Sequence, residues 1–414
     1  MPESATTEPK TKKKRVNVRR PDVMEKVQAE VENHYRSSIV EKVRARGGHL
    51  TIGNTTIRLA QQFGFCYGVE RAIDLAYAAR RVFKDRNIYL IGEIIHNPEV
   101  NRHLRDMNIK NVTGKNADIE LEDLQEDDVV IVPAFGAETA IMDVLKEKGC
   151  DVVDTTCGDV MRVWRRVKHN AKHGSTSIIH GKAQHEETLA TASRAMGDGS
   201  GHFLIVLTLD DVDFVCDYIR NGGDRQAFLD RFEEGYSEGF DPDLHLKRIG
   251  VANQTTMLKG ETEEIQRRLQ RAVLDRDGEE VAKENFNSFD TICGATQERQ
   301  DALYEMLGKK MDVLLVVGGY NSSNTTHLVE IGEKEVPSFF IGNAECLESL
   351  GEIVHFDLER KEEVKSYTTS FSNPDEPVVV GITAGASCPN NLIEETILRV
   401  FALRGIDSDE VRAS

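Results

Sequence analysis

The chain has 414 residues, 39% of them hydrophobic, which is enough for a substantial core and for about two to four domains. Its 70 acidic residues outnumber the 52 basic ones, and the resulting net charge of −18 disfavours nucleic acid or an anionic membrane as the main partner. Seven cysteines are too few for a disulfide scaffold, and the apolar runs are strand-sized rather than long enough to span a membrane.

Residues 1–50 are predicted to form an N-terminal extension that is partly disordered. We interpret the basic run at 9–20 as a solvated tail, because a run of like charges usually stays exposed to solvent. No apolar segment typical of a secretory signal follows the first methionine. The expected compartment is therefore the cytoplasm, or the plastid stroma if the source is a plant or an alga.

From about residue 51 the sequence repeats an apolar strand, a small polar loop and an amphipathic helix. This alternation predicts parallel sheets with right-handed crossovers, in which ligands bind at the carboxyl ends of the strands. The strand and helix pairs are predicted at 87–94 with 100–107, 129–132 with 138–148, 177–180 with 186–196, 312–317 with 326–331, and 377–382 with 391–403.

Three cysteines occur in similar settings, each between an apolar run and a helical pattern. Asp154-Thr-Thr-Cys157-Gly158 nearly repeats as Asp290-Thr-Ile-Cys293-Gly294, and Cys66 lies in Phe63-Gly-Phe-Cys66-Tyr-Gly68. We expect Cys66, Cys157 and Cys293 to converge and to hold an iron–sulfur cluster that has one open iron. The remaining cysteines are interpreted as core residues: Cys150, Cys216, Cys346 and Cys388.

The three cysteine settings indicate an α/β fold of three similar modules. We place them at 51–153, 154–289 and 290–381, with a C-terminal segment at 382–414 that packs back and ends in a tail. A polar, turn-rich stretch near 221–247 is interpreted as an insertion in the second module.

Polar loops at the predicted strand ends contain the other candidate site residues. His185 and Glu187 could supply a base and an acid to one pocket, although acidic residues are also common at ordinary helix starts. His96 lies at another strand end, where a single histidine is often only bonded to the local backbone.

Hydroxyl and amide side chains at three strand ends indicate a site for phosphate. Asn321-Ser322-Ser323-Asn324 opens a helix after a Gly-Gly pair, and such a loop can bind phosphate through backbone N–H groups and hydroxyls. Gly385-Ala-Ser387 and Asn253-Gln-Thr255-Thr256 offer similar groups. One such loop is usually just a turn, but several at equivalent strand ends favour a binding site.

The chain resembles the 4-hydroxy-3-methylbut-2-enyl diphosphate reductase family, in its plant and cyanobacterial branch, from about Thr56 to about Leu403. The motifs that carry the resemblance occur in the family's order. They are Gly64-Phe-Cys66-Tyr-Gly-Val, Glu93-Ile-Ile-His96-Asn, Asp154-Thr-Thr-Cys157, His185-Glu-Glu187-Thr, Gln254-Thr-Thr256, Asp290-Thr-Ile-Cys293, Asn321-Ser-Ser-Asn324 and Thr383-Ala-Gly-Ala-Ser387.

The resemblance implies a pseudo-threefold cloverleaf around one [4Fe–4S] cluster per chain, held by the three cysteines named above. It implies reductive dehydroxylation of the diphosphate substrate to isopentenyl and dimethylallyl diphosphates, with Glu187 as the proton donor and Thr255 as its helper. It assigns substrate binding to His96, His185, Thr255, Ser322, Asn324 and Ser387, with Ser323 adjacent. It also implies reduced ferredoxin as the electron donor, with flavodoxin as a second choice. The expected assembly is a monomer or a homodimer.

One position departs from the family's bacterial pattern, which has a second pocket histidine in a Ser-Ala-His-Gly loop. Here the loop reads Pro133-Ala-Phe135-Gly136, and phenylalanine cannot donate a hydrogen bond to a diphosphate. Two alternatives to the reductase are a dehydratase like quinolinate synthase and a non-enzymatic iron–sulfur sensor. The phosphate-binding loops argue against the first, and Glu187 beside them argues against the second.

Overall fold

The computed structural model describes residues 17–114, 116–289 and 291–414. Residues 1–16, with most of the basic run, and Asp290 of the second cysteine motif therefore lie outside the described residues. Within the described part of the N-terminal extension, two helices and a strand form, and the first helix packs on the helix that follows Cys66.

Helices occupy the following ranges in the described residues, in chain order: α1 Pro21–Tyr35, α2 Ser38–Ala45, α3 Tyr67–Val82, α4 Pro98–Asp106, α5 Thr139–Lys148, α6 Gly158–Lys172, α7 Glu186–Ala195, α8 Leu209–Asn221, α9 Arg225–Arg231, α10 Pro242–His245, α11 Lys259–Asp277, α12 Glu279–Asn285, α13 Gly294–Leu307, α14 Ser323–Gly332, α15 Asn390–Leu403 and α16 Ser408–Ala413. None of these helices combines the length and apolar character that crossing a lipid bilayer requires.

The strands in the same residues are β1 His49–Ile52, β2 Thr55–Leu59, β3 Ile88–Leu90, β4 Ile109–Asn111, β5 Val129–Val132, β6 Asp151–Asp154, β7 Thr176–His180, β8 Phe203–Val206, β9 Ile249–Asn253, β10 Phe286–Ser288, β11 Val313–Val317, β12 Ser338–Ile341, β13 Glu352–Asp357, β14 Glu362–Tyr367 and β15 Val378–Ala384.

Three small sheets are built from these strands, in the orders β4-β3-β5-β6, β10-β9-β7-β8 and β1-β2-β15-β11-β12. Pairing is parallel throughout except for the β1–β2 hairpin; β13 and β14 form a separate antiparallel hairpin. Inner strands such as β5 and β11 are continuous apolar runs, because helices cover both faces of a parallel sheet. The predicted α/β class with small parallel sheets is confirmed.

The strands near both ends of the chain do not join the sheets that their position in the sequence predicts. The predicted first module begins with β1 and β2, yet β2 pairs with β15 in the third sheet, where Ile57 lies opposite Val380. The predicted boundary at 381/382 falls inside β15, which lies between β2 and β11. Alternating strands and helices reveal the elements but not their pairing partners, since these partners are far apart in the sequence. The other module boundaries stay predictions.

The polar stretch near 221–247 contains two short helices and packs on the core. It contains α9 and α10, and Phe228, Phe232 and Phe240 lie in the core of the second sheet's module. The aromatic side chains therefore anchor a segment whose surface residues are polar.

Candidate active site

One cavity of ≈ 110 Å³ brings together all the candidate site residues from the three modules. Its walls include Cys66, Cys157, Cys293, His96, His185, Glu187, Thr255, Ser322, Ser323, Asn324 and Ser387. Many of these residues follow the carboxyl ends of strands: Cys157 after β6, His185 after β7, Thr255 after β9, Ser322 after β11 and Ser387 after β15. This is the edge at which parallel sheets bind ligands.

Each of the three cysteines is the residue that precedes a helix. Cys66 caps α3, Cys157 caps α6 and Cys293 caps α13, so each thiol lies at the positive end of a helix dipole. Burial nevertheless raises the pKa of Cys157, and it raises the pKa of Cys293 to about 12 although the thiol is hydrogen-bonded to Thr296. A coordinating cation removes the proton from such a thiol, so this donor set suits a bound metal centre.

Gly68 keeps the space between two of the sulfurs open. A Cβ atom built on Gly68 would lie 2.7 Å from Sγ of Cys157 and 3.8 Å from Sγ of Cys66. Any larger side chain would therefore fill the space that the sulfurs face. The three thiols with this gap fit an iron–sulfur group, and Gly68 is a residue whose role the sequence analysis left unassigned.

Arginines link the helix after one cysteine to the backbone before the next cysteine. Arg71 of α3 donates from Nη1 to the carbonyls of Thr155 and Thr156, at 3.1 and 3.2 Å, just before Cys157. Arg162 of α6 donates from Nη2 to the carbonyl of Ile292 at 3.1 Å, just before the third cysteine.

The third arginine makes the corresponding contact between the third cysteine's helix and the loop of the first cysteine. Arg299 of α13 donates from Nη2 to the carbonyl of Gly64, two residues before Cys66, and its side chain is almost fully buried. We call Arg71, Arg162 and Arg299 the arginine brace. Because each member joins the helix after one cysteine to the loop that leads to the next, the brace fixes the three cysteine loops relative to one another.

Replacing Arg299 by glutamine should loosen the bound metal centre. Its loss leaves the Gly64 carbonyl without its guanidinium donor, which costs about 1–3 kcal/mol of stability. Arg404→Gln is the matched control, because Arg404 is also buried and binds the carbonyl of Asn373 at 2.8 Å in a part of the third module away from the cysteines. Both variants should unfold at lower temperature, but only Arg299→Gln should release iron several-fold faster to a chelator. Equal release rates would contradict the brace.

Glu187 is a buried acid at the cavity wall. Its Oε1 accepts the backbone N–H of Thr255 at 2.6 Å, and its Oε2 accepts the Thr255 hydroxyl at 3.0 Å. Burial raises the pKa of Glu187 to about 7, although these two hydrogen bonds oppose the shift. The carboxyl group can therefore hold a proton near neutral pH and give it up, as a general acid must.

His185 offers a neutral hydrogen-bond donor to the same cavity. Its Nδ1 accepts the backbone N–H of Glu187 at 3.1 Å, so in the neutral ring the proton is on Nε2. Burial, together with nearby His96 and Lys182, places the pKa of His185 well below its ordinary value. Nε2 is buried and has no hydrogen-bond partner in the described residues, which leaves its proton for a ligand.

His96 is oriented by a carboxylate from its own loop. Its Nδ1 lies 3.3 Å from Oε2 of Glu93, and Asn321 donates to the same oxygen at 2.8 Å. Burial alone would raise the pKa of Glu93, but the hydrogen bonds from His96 and Asn321 outweigh it and lower that pKa. The ring is thus held with a buried Nε2 that has no hydrogen-bond partner in the described residues. Sequence reasoning gave Glu93 no role, although it lies three residues before His96 at a strand end.

His96, His185 and Glu186 form a further cluster of possible metal ligands at this wall. Ligand atoms of His96, His185 and Glu186 lie within 4.8 Å of one another. A metal needs an unprotonated nitrogen, whereas the hydrogen bond to Nδ1 of His185 leaves the proton on Nε2. His185 therefore suits an anion better than a cation.

Phe135 occupies the corner where the bacterial pattern has a histidine. Its ring stacks on His96 with centroids 4.7 Å apart and an interplanar angle of 9°. Phe135 therefore supports the His96 ring by contact and supplies no hydrogen bond.

The helix start at Ser322 completes the anion-binding side of the cavity. Oδ1 of Asn324 accepts the N–H of Ala386 at 2.9 Å, while its Nδ2 is buried with no hydrogen-bond partner among the described residues. Ser387 donates to the carbonyl of His96 at 3.1 Å, and Ser323 accepts from Gln254 at 3.1 Å. Buried donors are nearly always paired, so an unpaired Nδ2 at a helix N-terminus favours a site for an anion.

These features define the class: a three-module α/β protein with a candidate three-thiol metal centre beside an anion pocket. The family model described as LytB protein matches residues 57–401. The chain belongs to this family.

Named relatives cover almost the whole chain. A 4-hydroxy-3-methylbut-2-enyl diphosphate reductase of Gloeobacter violaceus is 49% identical over 385 residues, which span 92% of this chain and 90% of that protein. One of the same name from Thermosynechococcus vestitus is 46% identical over 383 residues, spanning 92% and 93% of the two chains.

Solved structures show the same fold. One titled as (E)-4-hydroxy-3-methyl-but-2-enyl diphosphate reductase, the terminal enzyme of the non-mevalonate pathway, matches with a TM-score of 0.51 and 24% identity, covering 84% of this chain and 99% of that chain. The E-1-hydroxy-2-methyl-but-2-enyl-4-diphosphate reductase from Plasmodium falciparum matches with a TM-score of 0.59 and 23% identity, covering 82% and 86%. At this identity the likeness concerns the fold.

Proposed function

We propose that this chain reduces (E)-4-hydroxy-3-methylbut-2-enyl diphosphate to isopentenyl and dimethylallyl diphosphates, the last step of the non-mevalonate route to isoprenoids. The observation that carries the proposal is the single cavity that joins three thiols, a buried acid and unpaired anion donors. The names of the relatives at 46–49% identity support the same substrate.

We propose one [4Fe–4S] cluster per chain, held by Cys66, Cys157 and Cys293. The thiol donor set and the open space beside Gly68 support this assignment. When bound, the cluster supplies electrons one at a time and an open iron that acts as a Lewis acid.

The protein's own side chains would hold the diphosphate at the anion-binding side of the cavity. Nε2 of His185 and Nδ2 of Asn324 are the unpaired donors for its oxygens, and Nε2 of His96 faces the same wall. Ser322 and Ser387 add hydroxyl groups. Fixing the diphosphate in this way orients the other end of the substrate towards Glu187 and the thiols.

Glu187 would supply a proton to the departing hydroxyl through Thr255. A protonated Glu187 can donate to the Thr255 oxygen, which then turns its own O–H into the cavity. The overall reaction consumes two electrons and two protons, breaks the C–O bond and releases water. Reduced ferredoxin is the proposed electron source, with flavodoxin second.

An anaerobic turnover assay with the diphosphate substrate and a reduced one-electron donor tests the function. We expect both five-carbon diphosphates as products. A cluster-loaded protein that makes neither product would overturn the proposal. Quinolinate formation from its precursors would instead favour the dehydratase alternative, and redox-dependent binding without turnover would favour the sensor.

A further inference from the structure

Helix α6 is unusually basic for a chain of this charge. It contains Arg162, Arg165, Arg166, Lys168 and Lys172 but a single acidic residue, Asp159, in a protein of net charge −18. Residues three, four and seven positions apart share one face of a helix, so Arg165, Lys168 and Lys172 form one stripe. All three are exposed. We call them the basic stripe.

The charges of the basic stripe are not neutralised by neighbours. Among the described residues, no acidic group forms an ion pair with any of its three members. The basic face of α11 is different, since Arg268 lies 2.6 Å from Glu264 and Arg271 lies 2.8 Å from Asp275. The stripe therefore keeps a local positive field on an otherwise acidic protein.

The stripe runs along the helix that begins at the three-thiol centre. α6 begins immediately after Cys157, and Arg165 is eight positions further along, roughly 12 Å of helix rise. Between them, Arg162 reaches the carbonyl next to Cys293. One helix thus connects an exposed basic surface with two of the three cysteines.

A larger cavity beside α1 is a weaker candidate for a docking surface. Its basic residues, Arg36 and Arg44, lie among acidic ones, and Arg36 is paired with Glu41 at 2.9 Å. The charge of this cavity is therefore mixed, and it favours neither an acidic nor a basic partner.

We propose that the basic stripe of α6 is the docking surface for an acidic, one-electron carrier protein of the ferredoxin type. The inference rests on the proposed function, because it assigns the route by which the reducing electrons arrive. Complementary charge speeds encounter and fixes orientation. Each turnover oxidises two carrier molecules by one electron each, and the substrate gains two electrons and two protons as its hydroxyl leaves as water.

Charge reversal in the cluster-loaded full chain tests the surface. We expect Arg165→Glu combined with Lys168→Glu and Lys172→Glu to raise the KM for reduced plant-type ferredoxin by about tenfold or more, because like charges now face each other. The decline of the wild-type rate with added salt should also disappear. Turnover driven by a small photoreduced deazaflavin, which needs no protein docking, should stay at the wild-type rate.

The matched control reverses the same number of positive charges outside α6. It combines Lys26→Glu, Lys146→Glu and Lys361→Glu, all at exposed positions. This control should leave the ferredoxin KM unchanged. Equal effects of the two triple variants, an unchanged ferredoxin KM in the stripe variant, or loss of its dye-driven turnover would each overturn the docking surface. Absence of dye-driven turnover in the wild type would instead overturn the proposed function.

Discussion

A Cys157→Ser variant should lose its iron and its turnover together. Sγ of Cys157 lies at the gap beside Gly68, 2.7 Å from where a Cβ atom on that glycine would be. A serine hydroxyl is a poor ligand for iron–sulfur clusters, which are held by thiolates. We therefore expect protein purified without oxygen to be colourless, with iron and sulfide per chain near zero and reductase activity at background.

Cys216→Ser is the control for this experiment. Cys216 is buried in α8 within the core of the second module and takes no part in the cavity. That variant should keep full iron content and activity, even if its stability changes slightly. A Cys157→Ser protein that holds a stable, active cluster would disprove the assignment of this thiol.

A Glu187→Gln variant should keep its cluster and bind substrate but turn over about 10²–10⁴ times more slowly, the usual contribution of a general acid. Glutamine matches the size of glutamate and can still accept the backbone N–H of Thr255. It carries no acidic proton to give. Substrate binding and single-turnover rates measured separately would locate the loss in the chemical step.

The pH dependence of turnover provides a second measurement of the same residue. Glu187 must be protonated to donate, and its pKa is raised to about 7, mainly by burial. The protonated fraction falls as pH rises through this value, so wild-type turnover should decline above about pH 7. The Glu187→Gln variant should lack this alkaline limb, the decline in turnover above about pH 7.

Glu261→Gln is the matched control for the pH profile. Burial also raises the pKa of Glu261, but this residue lies at the start of α11 and not in the cavity wall. Its replacement should leave both the rate and the limb unchanged. Wild-type turnover by Glu187→Gln, or a limb that survives in it, would remove Glu187 from the proton path.

The gathering of the site residues follows from local patterns that a sequence displays directly. A cysteine or serine just before a helix, after an apolar run, is visible as a motif, and the carboxyl ends of parallel strands meet by geometry. This logic is enough to gather Cys66, Cys157, Cys293, His185 and Ser322 at one cavity.

The remaining features depend on contacts between distant segments. Arg299 and Arg71 look like ordinary charged helix residues until the fold brings them to carbonyls of distant segments, next to other cysteines. The contact of Asn321 with Glu93 joins segments 228 positions apart. The pairing of β2 with β15 cannot be predicted in this way either, because the residues of one strand do not indicate which strand it pairs with.

The position of β15 has a consequence for how the protein is made. This strand lies between β2, near the start of the chain, and β11. Within the third sheet, β2 therefore has no partner except β1 until β15, at the beginning of the last tenth of the chain, has been synthesised. The loop after β15 also holds Cys66, whose N–H donates to the carbonyl of Ala386 at 3.2 Å. All three cysteines precede β15 in the chain, so each is synthesised before the sheet that positions the Cys66 loop is complete.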